Sequence, residues 1–209
     1  MKTEDLIVRL ARAAAPVTPL RPPAVRLLGW VALTAVCGVL GLAVYGLRAD
    51  SATMTAHPGF VRDAAFGFMV LFFGGGAALV LAVPGAEGRG AARWAVVVGL
   101  AGWMLLVWWA VVEQGQGLTD MRHWPVCAVR IVSVALVPAV ALVQMVRRAA
   151  PLRPAWASGL AVAAATAGGA LAIQLTCSIV EPGHVLLGHV APVGTFGALA
   201  ATYRWRPAL

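Results

Sequence analysis

The residues best suited to chemistry lie late in the chain. The stretch CSIVEPGHVLLGH, residues 177–189, contains Cys177, Glu181, His184 and His189, and Cys127 stands upstream of it. Thiolates and imidazoles together suit soft or borderline ions such as Zn, Cu(I) or Cd. In an oxidising compartment two thiols can instead form a disulfide. No C-x-x-C occurs, so the usual dithiol redox motif is absent. Three readings of Cys127 and Cys177 stay open: a thiol switch or metal site, a structural bridge, or two unrelated buried thiols.

The neighbours of these residues add detail. Glu181 precedes Pro182, which suits the first turn of a helix, so Glu181 is either a further metal ligand or a carboxylate placed at the helix's positive end. At about 100° per residue, His184 and His189 are predicted to sit about 140° apart, one reaching the cysteines and the other facing a neighbouring helix. Arg130 follows Cys127 on the same helical face, and Gln174 precedes Cys177. An arginine in hydrocarbon needs a partner, and the expected ion pair is Arg130 with Glu181, with Asp120 and Glu113 also at suitable depth. Met54, Met121 and His57 are weaker candidate ligands.

The elements holding these groups follow from composition. Of 209 residues, 61% are hydrophobic and 11% charged. A soluble domain carries about 25% charge. Continuous apolar stretches of about 20 residues, the length that crosses a bilayer, are predicted near 27–47, 64–83, 94–112, 126–146, 155–175 and 183–203. Their continuity indicates helices and not barrel strands. The first span begins too late and runs too long for a cleaved signal peptide. The expected fold is all-α: a six-helix transmembrane domain over 27–209, with short loops, preceded by a cytoplasmic segment over 1–26.

The net charge of +8 is an orientation signal. Lys2, Arg9, Arg12, Arg21, Arg26, Arg89, Arg93, Arg147, Arg148, Arg153, Arg204 and Arg206 fall on one side of the predicted spans, against Arg48, Arg62 and Arg122 on the other. The positive-inside rule then makes both termini cytoplasmic. No basic run with interleaved aromatics forms a nucleic-acid surface. Cys127, Cys177 and all four histidines map to the outer half, and Cys37 to mid-span.

The remaining features suggest packing. FGFMVLFFGGGAAL, residues 66–79, and the pair Ala164 and Gly168 permit close helix approach. Pro138 and Pro192 predict kinks or local breaks. Trp94, Trp103, Trp108, Trp109, Trp124, Trp156 and Trp205 fit an interfacial belt. Nucleotide-binding, hydrolase and zinc-protease motifs are absent, and no obligatory cofactor is expected. At the N-terminus, Thr3 caps a short helix with Glu4 and Asp5 in its first turn and Arg9 and Arg12 toward its end, stopped by Pro16. Leu6, Ile7, Leu10 and Ala14 form an apolar stripe suited to a partner's groove or to the membrane surface.

MKTEDLI at the start, Arg21-Pro22-Pro23 before the first span, six short spans, Cys127 at the head of the fourth, and C-x3-E-P-x-H-x4-H leading into the sixth resemble the NrsF family of bacterial membrane-bound anti-sigma factors. The resemblance spans essentially the whole chain. It implies a non-enzymatic regulator of the inner membrane that holds an extracytoplasmic-function (ECF) sigma factor through a segment around Thr3 to Leu10. It further implies that Cys127 and Cys177 respond to heavy metal or oxidant. Two other classes compete: a quinone-linked membrane thiol oxidoreductase, and a metal or proton carrier using His189 and Arg130.

Overall fold

A computed structural model describes residues 3–13, 19–85, 91–113 and 123–202. Met121, Asp120, Arg122, Arg89, Lys2, Ala14, Pro16, Arg204, Trp205 and Arg206 lie outside the described residues. Among the described residues every regular element is a helix. They are α1 Thr3–Ala13, α2 Pro23–Tyr45, a short α3 Ser51–Met54, α4 Pro58–Leu81, α5 Ala91–Glu113, α6 Trp124–Arg147, α7 Pro154–Gln174 and α8 Pro182–Thr202. Six of them, α2 and α4 to α8, are long and apolar enough to cross a membrane, as a multi-pass protein requires.

Proline sets where the spans begin. Pro23, Pro58, Pro125, Pro154 and Pro182 occupy the first turn of α2, α4, α6, α7 and α8. A first-turn N–H has no intrahelical partner, so proline loses nothing there, and its fixed φ starts the helix. Hydropathy alone places several of these starts later, most of all α4, which begins at Pro58 and not near 64. The extra turn draws His57 to the helix cap, where its Nδ1 accepts from the Gly59 N–H at 3.2 Å, and places Asp63 inside the bundle.

Helix α7 is the buried axle of the molecule: 83% of its most apolar stretch lies inside the bundle. Its sequence, PAWASGLAVAAATAGGALAIQ, is built from small residues. Lipid tails are as apolar as side chains, so helices in a membrane associate through close packing. A Cβ on Gly169 would meet the Ile131 carbonyl oxygen of α6 at 2.6 Å, and one on Gly197 of α8 would meet the Ala163 Cβ at 2.9 Å. A Cβ on Gly168 would meet Thr34 Cγ2 of α2 at 2.5 Å and Leu71 Cδ1 of α4 at 3.0 Å. The small-residue face anticipated at Ala164 and Gly168 is therefore used, Ala164 against Gly74 of α4. Gly169→Ala drives a methyl into backbone, which cannot retreat as a side chain can. The expected loss is about 1–3 kcal/mol of stability, read as a lowered thermal midpoint in detergent. Gly29, which has nothing among the described residues within 4 Å of its Cβ position, is the matched control.

Helix α6 runs unbroken through Pro138, which is fully buried. The Trp30 indole N–H of α2 donates to the Pro138 carbonyl at 2.9 Å. One helical stretch further on, Arg26 of α2 donates to the Met145 carbonyl. The start of α2 is thus tied to the end of α6, and the end of α2 lies near the start of α6. In α8 the break is subtler. Residues Leu186–Val190 form a π-helical turn just before Pro192. Proline has no N–H to offer and its ring crowds the carbonyl four residues back, a conflict that the wider turn relieves. Val70–Gly74 in α4 forms a second π turn, next to the glycine run.

The aromatic belt is only partly as expected. Trp94 meets Trp156 edge to face, with Arg93 over both rings. Trp103, in contrast, is buried, because its indole N–H donates to the Asp63 carboxylate at 3.1 Å.

Candidate metal and thiol centre

Three local features build the centre. Cys127 sits in the first turn of α6, just behind Trp124-Pro125. Cys177 lies in the short connection after α7, where its N–H bonds to the Ile173 carbonyl at 2.9 Å and holds the chain in a last tight turn. His184 and His189 lie on the first turns of α8. Helices α6 and α7 pack antiparallel, so the head of one meets the tail of the other, and α8 returns beside both.

All four side chains are buried. Their ligand atoms lie within 4.8 Å of one another. The sulfurs of Cys127 and Cys177 are 3.5 Å apart, and the Cys177 sulfur lies 3.3 Å from His184 Nε2. The two imidazoles meet edge to face, 5.6 Å between centroids. With bonds of about 2.3 Å to sulfur, two thiolates on a tetrahedral ion stand about 3.8 Å apart. The donors present, two soft sulfurs and two borderline nitrogens, therefore fit Zn, Cd or Cu(I) in type and spacing.

The meeting of the histidines corrects the helical-wheel expectation that set them about 140° apart. In a π turn the hydrogen bond closes five residues on, so side chains five apart come to lie on one face. Gly188 completes the arrangement. A Cβ there would lie 3.4 Å from His184 Nε2 and 3.6 Å from the Cys127 Cβ, so its lack of a side chain leaves the middle of the cluster open.

Glu181 is not a member. It is exposed at the head of α8 and makes no side-chain cap hydrogen bond. The expected Arg130–Glu181 ion pair does not form. Arg130 instead lies over the Tyr45 ring, 5.0 Å from its centroid, while the Tyr45 hydroxyl shares a hydrogen bond with Ser133. An aromatic face at the end of α2 thus supplies what a carboxylate was expected to supply. Gln174 comes near the site, its Nε2 3.5 Å from the Phe60 carbonyl.

The arginine that serves the centre is Arg48. Its Nη1 donates to the Cys177 carbonyl at 2.6 Å, and its Nε and Nη2 grip both oxygens of Asp50 at 2.6 and 2.8 Å. The Arg48 N–H also donates to the Leu175 carbonyl at 3.0 Å. The fork pushes Arg48 above its ordinary pKa and holds Asp50 below the usual carboxylate range. Hydrophobic patterning could not reveal this role, because Arg48 reads there only as a charge beyond the first span. A lysine cannot make the two-pronged contact and the carbonyl bond together. Arg48→Lys is expected to weaken Cd²⁺ binding roughly 10–100-fold, the usual cost of a lost supporting contact, as read by sulfur-to-metal absorbance in detergent.

The Cys177 thiol is held well below its ordinary range. The first cause is the S–H of Cys127, which points at its sulfur, and His184 and His189 add to it against the opposing effect of burial. Among the described residues His184 Nδ1, which is buried, finds no hydrogen-bond partner. Beside the centre, Asp63 accepts from Arg62 Nε at 2.9 Å as well as from Trp103. With Arg48–Asp50, this makes two ion pairs flanking the site.

Ahead of the spans in the chain, α1 has the expected polarity, with Glu4 and Asp5 in its first turn and Arg12 in its last. Every one of its residues is exposed, Leu6, Ile7 and Leu10 among them.

No curated protein and no solved structure matches this chain. A family model does: NrsF, negative regulator of sigma F, matches residues 10–207, nearly the full length. A chain with six helices able to span a membrane, a buried thiol and imidazole centre and an exposed α1 is thus a member of the NrsF family of negative regulators of a sigma factor.

Proposed function

We propose that this protein is an inner-membrane anti-sigma factor that holds an ECF sigma factor through α1 and releases it when the Cys127, Cys177, His184 and His189 centre takes up a soft metal ion or is oxidised. The observation that carries the sensing half is the convergence of four buried donors, two sulfurs and two imidazole nitrogens, within 4.8 Å. Buried polar groups in a membrane bundle are costly, and a function is their default reading. The holding half rests on α1, an amphipathic helix whose apolar side chains are exposed. Arginine distribution supports a cytoplasmic α1 and an outward-facing centre.

The connection between the centre and α1 follows the backbone contacts already described. Ligation or oxidation draws the head of α6, the 175–181 connection and the first turns of α8 together. Helix α6 carries that change to Pro138 and Met145, whose carbonyls are gripped by Trp30 and Arg26 of α2. Helix α2 continues back toward α1. Converting a population from 1:99 to 99:1 takes about 5.5 kcal/mol of differential binding. A structural zinc site supplies about 10–16 kcal/mol in total, so a fraction of such an affinity suffices.

Purification of the full-length protein from native membranes tests this reading. A sigma factor is expected to co-purify and to leave on addition of Cd²⁺. A bound quinone with disulfide turnover, and no sigma factor, would favour an oxidoreductase instead.

A further inference from the structure

A cavity of about 250 Å³ opens beside the centre. Met54, His57 and Arg62 stand at its outer edge, and Phe60, Trp103 and Leu171 form apolar walls. Of the four donor residues, Cys177 and His189 line it, whereas Cys127 and His184 do not. The volume is many times the roughly 10–15 Å³ needed by one water, so a bare ion or a peroxide would leave most of it empty. Its charged lining is already neutralised, Arg48 by Asp50 and Arg62 by Asp63, so the guest that fits is small, organic and uncharged.

We infer that this cavity admits small neutral organic disulfides, with Cys177 as the attacking thiol and Cys127 as the resolving thiol. The inference rests on the sensing role proposed for the same pair and names its oxidant class. His184 Nε2, 3.3 Å from the Cys177 sulfur, takes the thiol proton. The Cys177 sulfur attacks one sulfur of the guest, the guest's S–S bond breaks, and the first half leaves as a thiolate that collects the proton from His184. Cys127, 3.5 Å away, then loses its proton and attacks the Cys177 sulfur of the mixed disulfide. The second half leaves as a thiol with that proton. The dithiol is oxidised by two electrons and the guest is reduced to two thiols, in the ordinary exchange sequence.

The test uses full-length protein in a Cys37→Ala background with 2-hydroxyethyl disulfide as probe. In Cys127→Ser, Cys177 is expected to trap a mercaptoethanol adduct at least about tenfold faster than Cys127 does in Cys177→Ser. With both cysteines present the product is the internal disulfide. Glutathione disulfide, large and charged, is expected to react at least about tenfold more slowly than the small probe. Ala110→Phe, which puts a ring into the cavity wall, should slow the small probe while leaving Cd²⁺ uptake intact. Equal trapping at the two cysteines, or equal rates for the large and small disulfides, overturns the inference. Cd²⁺ uptake is read in parallel: uptake without size-selective exchange overturns this inference alone, and size-selective exchange without uptake overturns only the metal arm of the proposed function.

Discussion

Cys177→Ser is expected to lower Cd²⁺ affinity by at least about a hundredfold and to remove release of the sigma factor, while repression in unstressed cells persists. A hydroxyl is a poor ligand for a soft ion. The substitution also removes the sulfur nearest both Cys127 and His184, at 3.5 and 3.3 Å. Cys127→Ser should lose metal and induction in the same way, because it too supplies one of the four donors. Glu181→Gln should change neither, since Glu181 is exposed and outside the cluster. Affinity is read from the sulfur-to-metal absorbance of the purified protein, and induction from a reporter driven by the sigma factor. Induction that survives both serine substitutions would remove the sensing role from this pair.

The second large effect belongs to α1. Replacing Leu6 and Leu10 of α1 together by Asp is expected to weaken sigma-factor binding by at least about a hundredfold, since buried apolar anchors dominate such interfaces at about 2 kcal/mol or more each. Both side chains are exposed in the bundle itself, Leu6 at 40% and Leu10 at 62%. Their replacement should therefore leave its thermal midpoint and Cd²⁺ binding unchanged. Co-purification of sigma factor and constitutive reporter activity are the two readouts. A loss of repression accompanied by a loss of Cd²⁺ binding would point to general unfolding.

The sequence made some of this legible and concealed the rest for physical reasons. The six spans could be read from hydropathy because continuous apolar length is itself what a bilayer demands. Their starts were less visible, since Pro58 begins its helix among polar residues that hydropathy assigns to a loop. Cys127 and Cys177 could be brought together because antiparallel neighbours put the head of one helix beside the tail of the next. The two histidines could not, because a regular 100° wheel has no place for the π turn at Leu186–Val190. Pro192, two residues beyond that turn, was the available signal: it marks a kink or local break, but not that the break takes the form of a widened turn. Arg48 and Arg130 exchanged expectations for a related reason. Position along a helix gives depth but not which neighbour presents a ring or a carbonyl at that depth, so Tyr45 was as invisible to Arg130 as the Cys177 carbonyl was to Arg48. Asp63 and Trp103 belong to the same class, a polar pair buried by packing between helices distant in sequence.

The organisation also explains why the small-residue helix α7 sits in the middle. A centre made from the ends of α6, α7 and α8 keeps its spacing only if those helices touch closely, and Gly169 and Gly197 are where they do. The packing that holds the bundle together is therefore the same packing that holds the four donors within reach of one another.

X-ray absorption at the zinc edge of the loaded full-length protein reads the donor set of the centre itself. Two sulfurs at about 2.3 Å and two nitrogens at about 2.0–2.1 Å are expected, with one sulfur lost in Cys127→Ser and one nitrogen lost in His189→Ala. A shell of oxygen and nitrogen alone, or one indifferent to both substitutions, would contradict it.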